Sequence, residues 1–194
     1  MTERVTDAGS DEELMRRYAQ GDLQAFQRLY TRHRGGLYRY FLRQTSPSIA
    51  EELFQEVWAR VIGSRRRYRA TAAFRTWLYT LAHHRLVDHW RREGVRAAEV
   101  PQAEDDDPQS AAPDPGAGPH TLVDLRDCLE QLLQLVAGLP ERQRQTFLLR
   151  HEAGLPLAEI AAAMNAGVET VKSRLRYAMD RLRSAIASEC LEEG

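Results

Sequence analysis

Apolar residues recur three and four positions apart along most of the chain, and nowhere with the period of two that marks a half-buried strand. Capping signals accompany the first of these stripes. Ser10 followed by Glu13 forms a capping box, and Asp22 can cap a second helix. The pair Gly35-Gly36 leaves open whether that second helix is bent or interrupted. The pattern predicts an all-α protein.

Two further helices are predicted in the first half of the chain. Ser48 with Glu51 repeats the capping box and predicts the start of a third helix. A fourth helix is predicted over roughly residues 71–92, closed by Gly94. The predicted inner residues of these two helices are Ala50, Leu53, Phe54, Val57, Val61, Phe74, Leu78, Leu81 and Leu86.

The composition changes in the middle of the chain. Residues 94–119 are rich in Ala, Asp, Pro and Gly and cannot bury enough apolar surface to offset chain entropy. The sequence therefore predicts two small helical domains joined by a flexible acidic linker. The predicted boundaries are a disordered tail over residues 1–9, a first domain over 10–93, the linker over 94–120, a second domain over 121–188 and a tail over 189–194.

The second domain carries the pattern of a helix-turn-helix. After helices over about 121–138 and 140–154, two shorter helices are predicted over 157–164 and about 168–187. Asn165, in the turn between them, is expected to take the positive φ that such a turn needs. The predicted inner faces consist of Leu157, Ile160, Ala161 and Met164 on the first helix and Val168, Val171, Leu175 and Met179 on the second.

The outer face of the second helix is basic and rich in hydrogen-bonding groups. In a DNA-binding helix-turn-helix this helix enters the major groove, where it contacts base edges and phosphates. A solvated charged face on an ordinary helical hairpin is the plain alternative. The turn residue, the small residues at the contact and the basic second helix together favour DNA binding. The candidate residues are Thr170, Lys172, Ser173, Arg174, Arg176 and Tyr177.

The net charge of −1 hides a separation of opposite charges along the chain. Residues 60–92 contain nine arginines and one acid, whereas residues 94–121 contain six acids and one arginine. Arginines interleaved with Tyr68, Trp77, Tyr79 and Trp90 suit single-stranded nucleic acid, which needs cations along its backbone and rings for its bases. For Trp77, a place in the core is the more frequent role of such an aromatic.

Other sequence features narrow the class of protein. Cys128 and Cys190 follow no metal-ligand or disulfide spacing, so no metal site and no cofactor are predicted. The start of the chain lacks a targeting pattern, and no apolar run approaches the ~18 residues that a membrane span requires. We therefore expect a soluble cytoplasmic protein.

Taken together, these motifs resemble those of sigma factors of the extracytoplasmic-function (ECF) type, in the sigma-70 family. The stretch LPERQRQTFLLRHEAGLPLAEIAAAMNAGVETVKSRLRYAMDRLR is similar to the family's fourth conserved region, which reads the minus-35 promoter element. The stretches GDLQAFQRLY, AEELFQEVWARV and FRTWLYTLAHHRLVDHWRR are similar to its second conserved region. The resemblance covers almost the whole chain outside the linker.

The resemblance implies partners and roles. The helix bearing Glu52, Gln55 and Glu56 would dock on the β′ coiled coil of core RNA polymerase. The β subunit of the polymerase is a further implied partner. The loop Gly63–Ala73 and the helix after it would hold the unwound minus-10 strand. The candidate minus-10 residues are Arg65, Arg66, Arg67, Tyr68, Arg69, Trp77, His84, Arg85, Asp88, Arg91 and Arg92. Promoter DNA and, as is common in the family, an anti-sigma factor are the other implied partners.

The acidic linker has two possible roles. In the family it threads toward the polymerase active-site cleft, and a flexible solubilising tether is equally compatible with its composition. The chain also departs from the family pattern in two places. His83-His84 stands where Arg-Asn is usual, so an imidazole replaces an amide suited to base recognition, and Asn165 replaces the usual turn glycine.

Two other functions compete with this interpretation. An enzyme would have His83, His84 and His89 as its only visible support, and their spacing matches no zinc-binding helix, so we expect no enzyme. A conventional helix-turn-helix repressor or activator is the more serious alternative, because its C-terminal half would look alike. It would not need an arginine-rich aromatic segment suited to melted DNA.

Overall fold

The computed structural model describes residues 9–94 and 125–191, and every regular element within those ranges is an α-helix. The predicted tail up to residue 8, the predicted linker beyond Gly94 and residues 192–194 lie outside the described part. The helices are α1 (Asp11–Ala19), α2 (Leu23–Leu42), α3 (Pro47–Ser64), α4 (Phe74–Arg92), α5 (Leu125–Ala137), α6 (Glu141–His151), α7 (Leu157–Ala163) and α8 (Val168–Leu191).

The first two helices begin where the capping residues predict. The Ser10 hydroxyl accepts a hydrogen bond from the backbone N–H of Glu13 at 3.2 Å. Asp22 accepts from the N–H groups of Gln24 and Ala25 at 3.0 and 3.1 Å. These bonds satisfy donors that the first turn of a helix leaves without partners.

The predicted start of the third helix is wrong. Helix α3 begins at Pro47, with Ser46 as its N-cap, so Ser48 lies inside the first turn instead of capping it. Proline favours this first position because its fixed φ suits a helix and the missing N–H would have no partner there.

The glycine pair does not interrupt α2, which is helical from Leu23 to Leu42. Gly36 instead permits a close approach between helices. A Cβ atom at this position would lie 2.7 Å from the Tyr79 hydroxyl of α4, closer than real Cβ atoms come to such an atom. The absence of a side chain at Gly36 therefore lets α4 pack tightly against α2.

The helices α1 to α4 enclose the core of the N-terminal half. Helix α3 buries the predicted apolar stripe except Phe54, which is half-buried, and also buries Trp58, which the pattern did not predict. The largest fully buried side chains of this half are Leu14, Met15, Leu29, Leu37, Tyr40, Phe41, Leu53, Phe74, Leu78 and Leu86.

The helix-turn-helix consists of α7 and α8. Asn165 adopts a φ of 49°, as expected for the turn. Ile160, Ala161 and Met164 are buried on α7, and Val171 is buried on α8. The prediction that Val168 is buried is wrong: it is the first residue of α8 and is 39% exposed.

The two halves contact each other directly, with α7 packed on α4. The Glu152 carboxylate, at the end of α6, lies 2.7 Å from the Arg39 Nε and 3.3 Å from the Arg43 Nε of α2. Glu159 of α7 accepts a hydrogen bond from the Thr76 hydroxyl of α4. None of the helices in the described ranges is long and apolar enough to cross a membrane.

Candidate nucleic-acid interface

The start of α8 presents an exposed polar face. Thr170, Lys172 and Arg176 are exposed, and Lys172 forms an ion pair with Glu169 at 2.7 Å. The Arg176 guanidinium lies 5.0 Å from the centroid of the Tyr177 ring, within reach of a cation–π contact. This face can offer a hydroxyl and two cations to DNA without any rearrangement of the helix.

The other candidates on α8 are less accessible. Ser173, Arg174 and Tyr177 are half-buried. Arg174 already interacts with other groups of the chain. The structure therefore brings all six predicted residues to one stretch of helix, but exposes only three of them fully.

The arginines of the loop before α4 also differ in exposure. Arg66, Arg67 and Arg69 are exposed, which suits contact with phosphates. Arg65 is half-buried, and its guanidinium lies 5.5 Å from the centroid of the Tyr18 ring. Arg65 therefore helps to join this loop to α1.

Tyr68 and Trp77 form an aromatic pair at the edge of the core. Both are half-buried, and their ring centroids lie 5.2 Å apart in an edge-to-face arrangement. The ring of Phe74, fully buried beneath them, contacts both. Burial is the main reason why the pKa of the Tyr68 hydroxyl rises to about 12. The pair belongs partly to the core and partly to the surface.

The remaining minus-10 candidates follow one side of α4. His84, Arg91 and Arg92 are exposed. Asp88 is half-buried and forms an ion pair with Arg85 at 3.0 Å. An acid would repel phosphate, so Asp88 is better suited to orienting Arg85 than to contacting a DNA backbone.

Two aromatic residues expected to face nucleic acid are instead buried. Tyr79 is 3% exposed and Trp90 is 8% exposed. Helix α4 packs against α1, α2 and α3 of its own half and against α7 of the other. Neither ring can stack on a base in this conformation.

The predicted polymerase-docking residues lie on the outer face of α3. Glu52 and Gln55 are exposed and Glu56 is half-buried. The Gln55 amide donates a hydrogen bond to Glu51 at 3.3 Å, one turn earlier in the helix. The face is thus polar, acidic and accessible.

The histidines of α4 have unlike surroundings. His83 is 5% exposed and its Nδ1 lies 3.3 Å from the Tyr40 hydroxyl. The pKa of His83 is lowered to about 4, mainly by burial and to a smaller extent by the nearby His84 and Arg142. Within the described residues, no three His, Cys, Asp or Glu side chains lie together in a way that could hold a metal ion.

Sequence reasoning missed Glu12. Its carboxylate accepts a hydrogen bond from the backbone N–H of Phe74 at 2.7 Å, across 62 residues of sequence. Nothing local to either residue signals this contact.

Comparison with known proteins identifies the family. The Sigma-70 region 2 model matches residues 29–96, and the Sigma-70 region 4 model matches residues 135–184. SigF of Caulobacter vibrioides (strain NA1000 / CB15N), an ECF RNA polymerase sigma factor, is 30% identical over 171 residues, which cover 87% of this chain and 89% of SigF. This chain is an ECF sigma factor.

Solved structures support the same fold for this sigma factor. CnrH, in complex with the cytosolic domain of CnrY, aligns with a TM-score of 0.65 at 19% identity and covers 93% of this chain and 99% of its own. The sigma factor RpoE, in complex with the anti-sigma factor NepR from Bartonella quintana, aligns with a TM-score of 0.60 at 22% identity over 83% and 96% of the two chains.

Membership of this family fixes the general function. The sigma factor directs RNA polymerase to promoters at the initiation of transcription and is a DNA-binding regulatory protein.

Proposed function

We propose that this sigma factor holds a promoter at two points while bound to core RNA polymerase. The face of α8 reads the minus-35 element, and the segment of residues 63–73 with α4 holds the melted minus-10 strand. The observation that carries the proposal is that the minus-35 site, the minus-10 site and the polymerase-docking site each have an exposed face, on three different helices. Thr170 on α8, His84 on α4 and Gln55 on α3 are all exposed, so each of the three faces is accessible to its partner.

The residues of the minus-10 site divide into phosphate and base contacts. The exposed arginines 66, 67, 69, 91 and 92 suit the backbone of a single strand. Tyr68 and Trp77 each have part of a ring at the surface, which suits stacking of one base at this edge. His84 can donate to or accept from a base edge, and Arg85 is oriented by Asp88.

The minus-35 site is the accessible part of the reading helix. Thr170 and Lys172 lie near the start of α8, where a helix in the major groove comes closest to base edges. Arg176 lies one turn later and suits a phosphate contact. Arg174 interacts within the chain, so its contact with DNA requires an exchange of partners.

The remaining proposed partners are proteins. Glu52, Gln55 and Glu56 would bind the β′ coiled coil of the polymerase. Because the polymerase is cytoplasmic, the protein would act in the cytoplasm. An anti-sigma factor is proposed because a protein of similar fold, RpoE, binds one. The proposed role is one of binding and positioning, with no chemical step, and the proposed domains retain the boundaries predicted from the sequence.

The test is reconstituted transcription with core polymerase on a promoter that the wild-type holoenzyme selects from a randomised DNA pool. The Gln55→Ala, Glu56→Ala double variant is expected to lose roughly tenfold or more in affinity for the polymerase, the loss typical of an interface hot spot. A Gln24→Ala, Gln27→Ala variant is the control, because both side chains are exposed but belong to a different helix, α2. Equal affinity of both variants for polymerase would remove the docking assignment.

The same promoter tests the reading helix. Arg176→Ala is expected to leave polymerase affinity unchanged and to reduce the salt slope of DNA binding by about one if it contacts a phosphate. Strong binding of the isolated chain to duplex DNA, with no stable complex with polymerase, would instead support a conventional repressor or activator.

A further inference from the structure

The first turn of α1 lies against the start of α4. The Glu12 carboxylate accepts a hydrogen bond from the Phe74 N–H at 2.7 Å, and Phe74 is the first residue of α4. This hydrogen bond is the largest of the effects that lower the pKa of the Glu12 carboxyl below its usual value. The carboxylate is therefore ionised at neutral pH and bound to the N-terminal end of α4.

Helix α4 lacks a cap of its own. Its N-cap residue is Ala73, which has no side chain able to accept a hydrogen bond. The first N–H groups of a helix need an acceptor, and a negative charge there also interacts favourably with the helix dipole. Glu12 supplies both, although it comes from another helix.

The residue held by this bond supports the aromatic pair of the minus-10 site. The Phe74 ring centroid lies 6.1 Å from that of Tyr68 and 5.7 Å from that of Trp77. Because Phe74 is fully buried, its backbone and ring move together with the start of α4. A displacement of the Phe74 N–H would therefore displace the surface offered to DNA.

Glu12 is itself held in place by its neighbour. Asp11 pairs with Arg32 of α2, and its carboxylate lies 2.6 Å from the Nε2 of His33. The His33 ring in turn packs on Phe74, with centroids 5.3 Å apart. The first turn of α1 is thus fixed to α2 on one side and to α4 on the other.

We propose that Glu12 is a positioning residue for the melted minus-10 strand, acting through the Phe74 N–H on the Tyr68–Trp77 pair. The inference rests on the proposed function of that pair. Helix α1 lies outside residues 29–96, which match the Sigma-70 region 2 model, so the family match assigns Glu12 no role. Glu12 does not touch DNA in this proposal.

The experiment uses the full chain with core polymerase on the promoter selected by the wild-type holoenzyme. Glu12→Ala is expected to raise hydrogen exchange at the Phe74 amide and to shorten the lifetime of the open complex by roughly tenfold, the scale of one lost hydrogen bond to a charged group. Affinity for core polymerase is expected to stay within about twofold, because α3 is unaffected.

Two rescue variants distinguish positioning from general stability. Glu12→Gln keeps an acceptor oxygen, so it is expected to restore most of the lifetime. Ala73→Ser added to Glu12→Ala supplies α4 with a cap from its own chain and is expected to restore part of it. If Glu12→Ala by itself folds poorly, Glu12→Gln and the Glu12→Ala, Ala73→Ser double variant can still be compared with the wild type. The matched control is Glu13→Ala, since the Glu13 side chain pairs with Arg16 on the surface of α1.

Three outcomes would overturn the inference. An unchanged open-complex lifetime in Glu12→Ala would do so, as would an equal loss in Glu13→Ala. A parallel loss of polymerase affinity, with no recovery in either rescue variant, would show a general effect on the fold. Failure of the wild-type holoenzyme to form an open complex would instead contradict the proposed function itself.

Discussion

His83 and His84 are adjacent in sequence but differ in chemistry. His83 is buried beside the Tyr40 hydroxyl, with Arg142 of the other half nearby, whereas His84 is exposed on α4. Burial disfavours the charged imidazole and lowers the pKa of His83 to about 4, compared with 6.5 for a free histidine. The fold therefore holds His83 neutral at physiological pH.

This neutral histidine makes stability depend on pH. Between pH 6.5 and 4 the unfolded chain binds a proton at His83 that the folded chain does not, so stability falls as the pH is lowered through this range. By pH 5 we expect His83 to account for a loss of about 2 kcal/mol, at 1.36 kcal/mol per pKa unit. Urea unfolding at pH 7 and pH 5 measures this loss.

The two histidines provide their own control. His83→Gln, which stays neutral and can accept a hydrogen bond from Tyr40, is expected to reduce the destabilisation between pH 7 and pH 5. His84→Gln removes only the smaller effect of His84 on the pKa of His83, so it is expected to change the destabilisation much less than His83→Gln does. The same pH dependence in both variants would contradict the assignment to His83.

At the scale of elements, the turn of the helix-turn-helix depends on one residue. Asn165 has a φ of 49°, whereas a Cβ added at Gly167 would meet only the Thr170 Oγ1, at an ordinary 3.6 Å. We expect Asn165→Gly to be tolerated and Asn165→Ala to destabilise the protein by about 1 kcal/mol, because alanine is strained in the left-handed region. Thermal unfolding, with binding to minus-35 duplex as a second measurement, checks both.

Gly167→Ala is the matched change at the other end of the turn. We expect it to cost less than Asn165→Ala, since its φ lies outside the left-handed region. A larger loss from Gly167→Ala would show that the strained position of the turn had been assigned to the wrong residue.

The elements also show what the sequence could predict. The caps at Ser10 and Asp22 correctly predict helix starts, whereas the capping box at Ser48 does not. The periodicity of α4 could not predict that Tyr79 is buried, because Gly36 and Tyr40, against which it packs, lie on α2, far away in sequence. The bond from Glu12 to Phe74 was equally invisible, since it joins residues 62 positions apart. Local sequence patterns predict local structure, but they do not predict contacts between helices that are far apart in sequence.

At the scale of the whole molecule, the contact between the halves conflicts with simultaneous promoter binding. Elements centred near minus-35 and minus-10 lie about 25 base pairs apart, or on the order of 85 Å at about 3.4 Å per base pair. In the structure α7 packs directly on α4, so the two DNA-binding faces lie much closer together. The 27 residues from 94 to 120 can span up to about 90 Å when extended, which is enough to let the halves separate.

The contact includes Glu152, whose side chain is largely buried and forms ion pairs with Arg39 and Arg43. We expect Glu152→Lys to open the molecule, because it replaces an ion pair by a third cation beside two arginines. Small-angle scattering of the free protein is expected to show a larger radius of gyration for this variant than for the wild type.

Asp180→Lys is the control, since it makes the same change in net charge at an exposed residue of α8 that pairs with Arg183. An equal expansion in both variants would attribute the effect to net charge, and the absence of expansion in Glu152→Lys would mean that packing of α7 on α4 holds the halves without the ion pairs. An opened Glu152→Lys variant should also associate faster with core polymerase, because it no longer has to break the contact first.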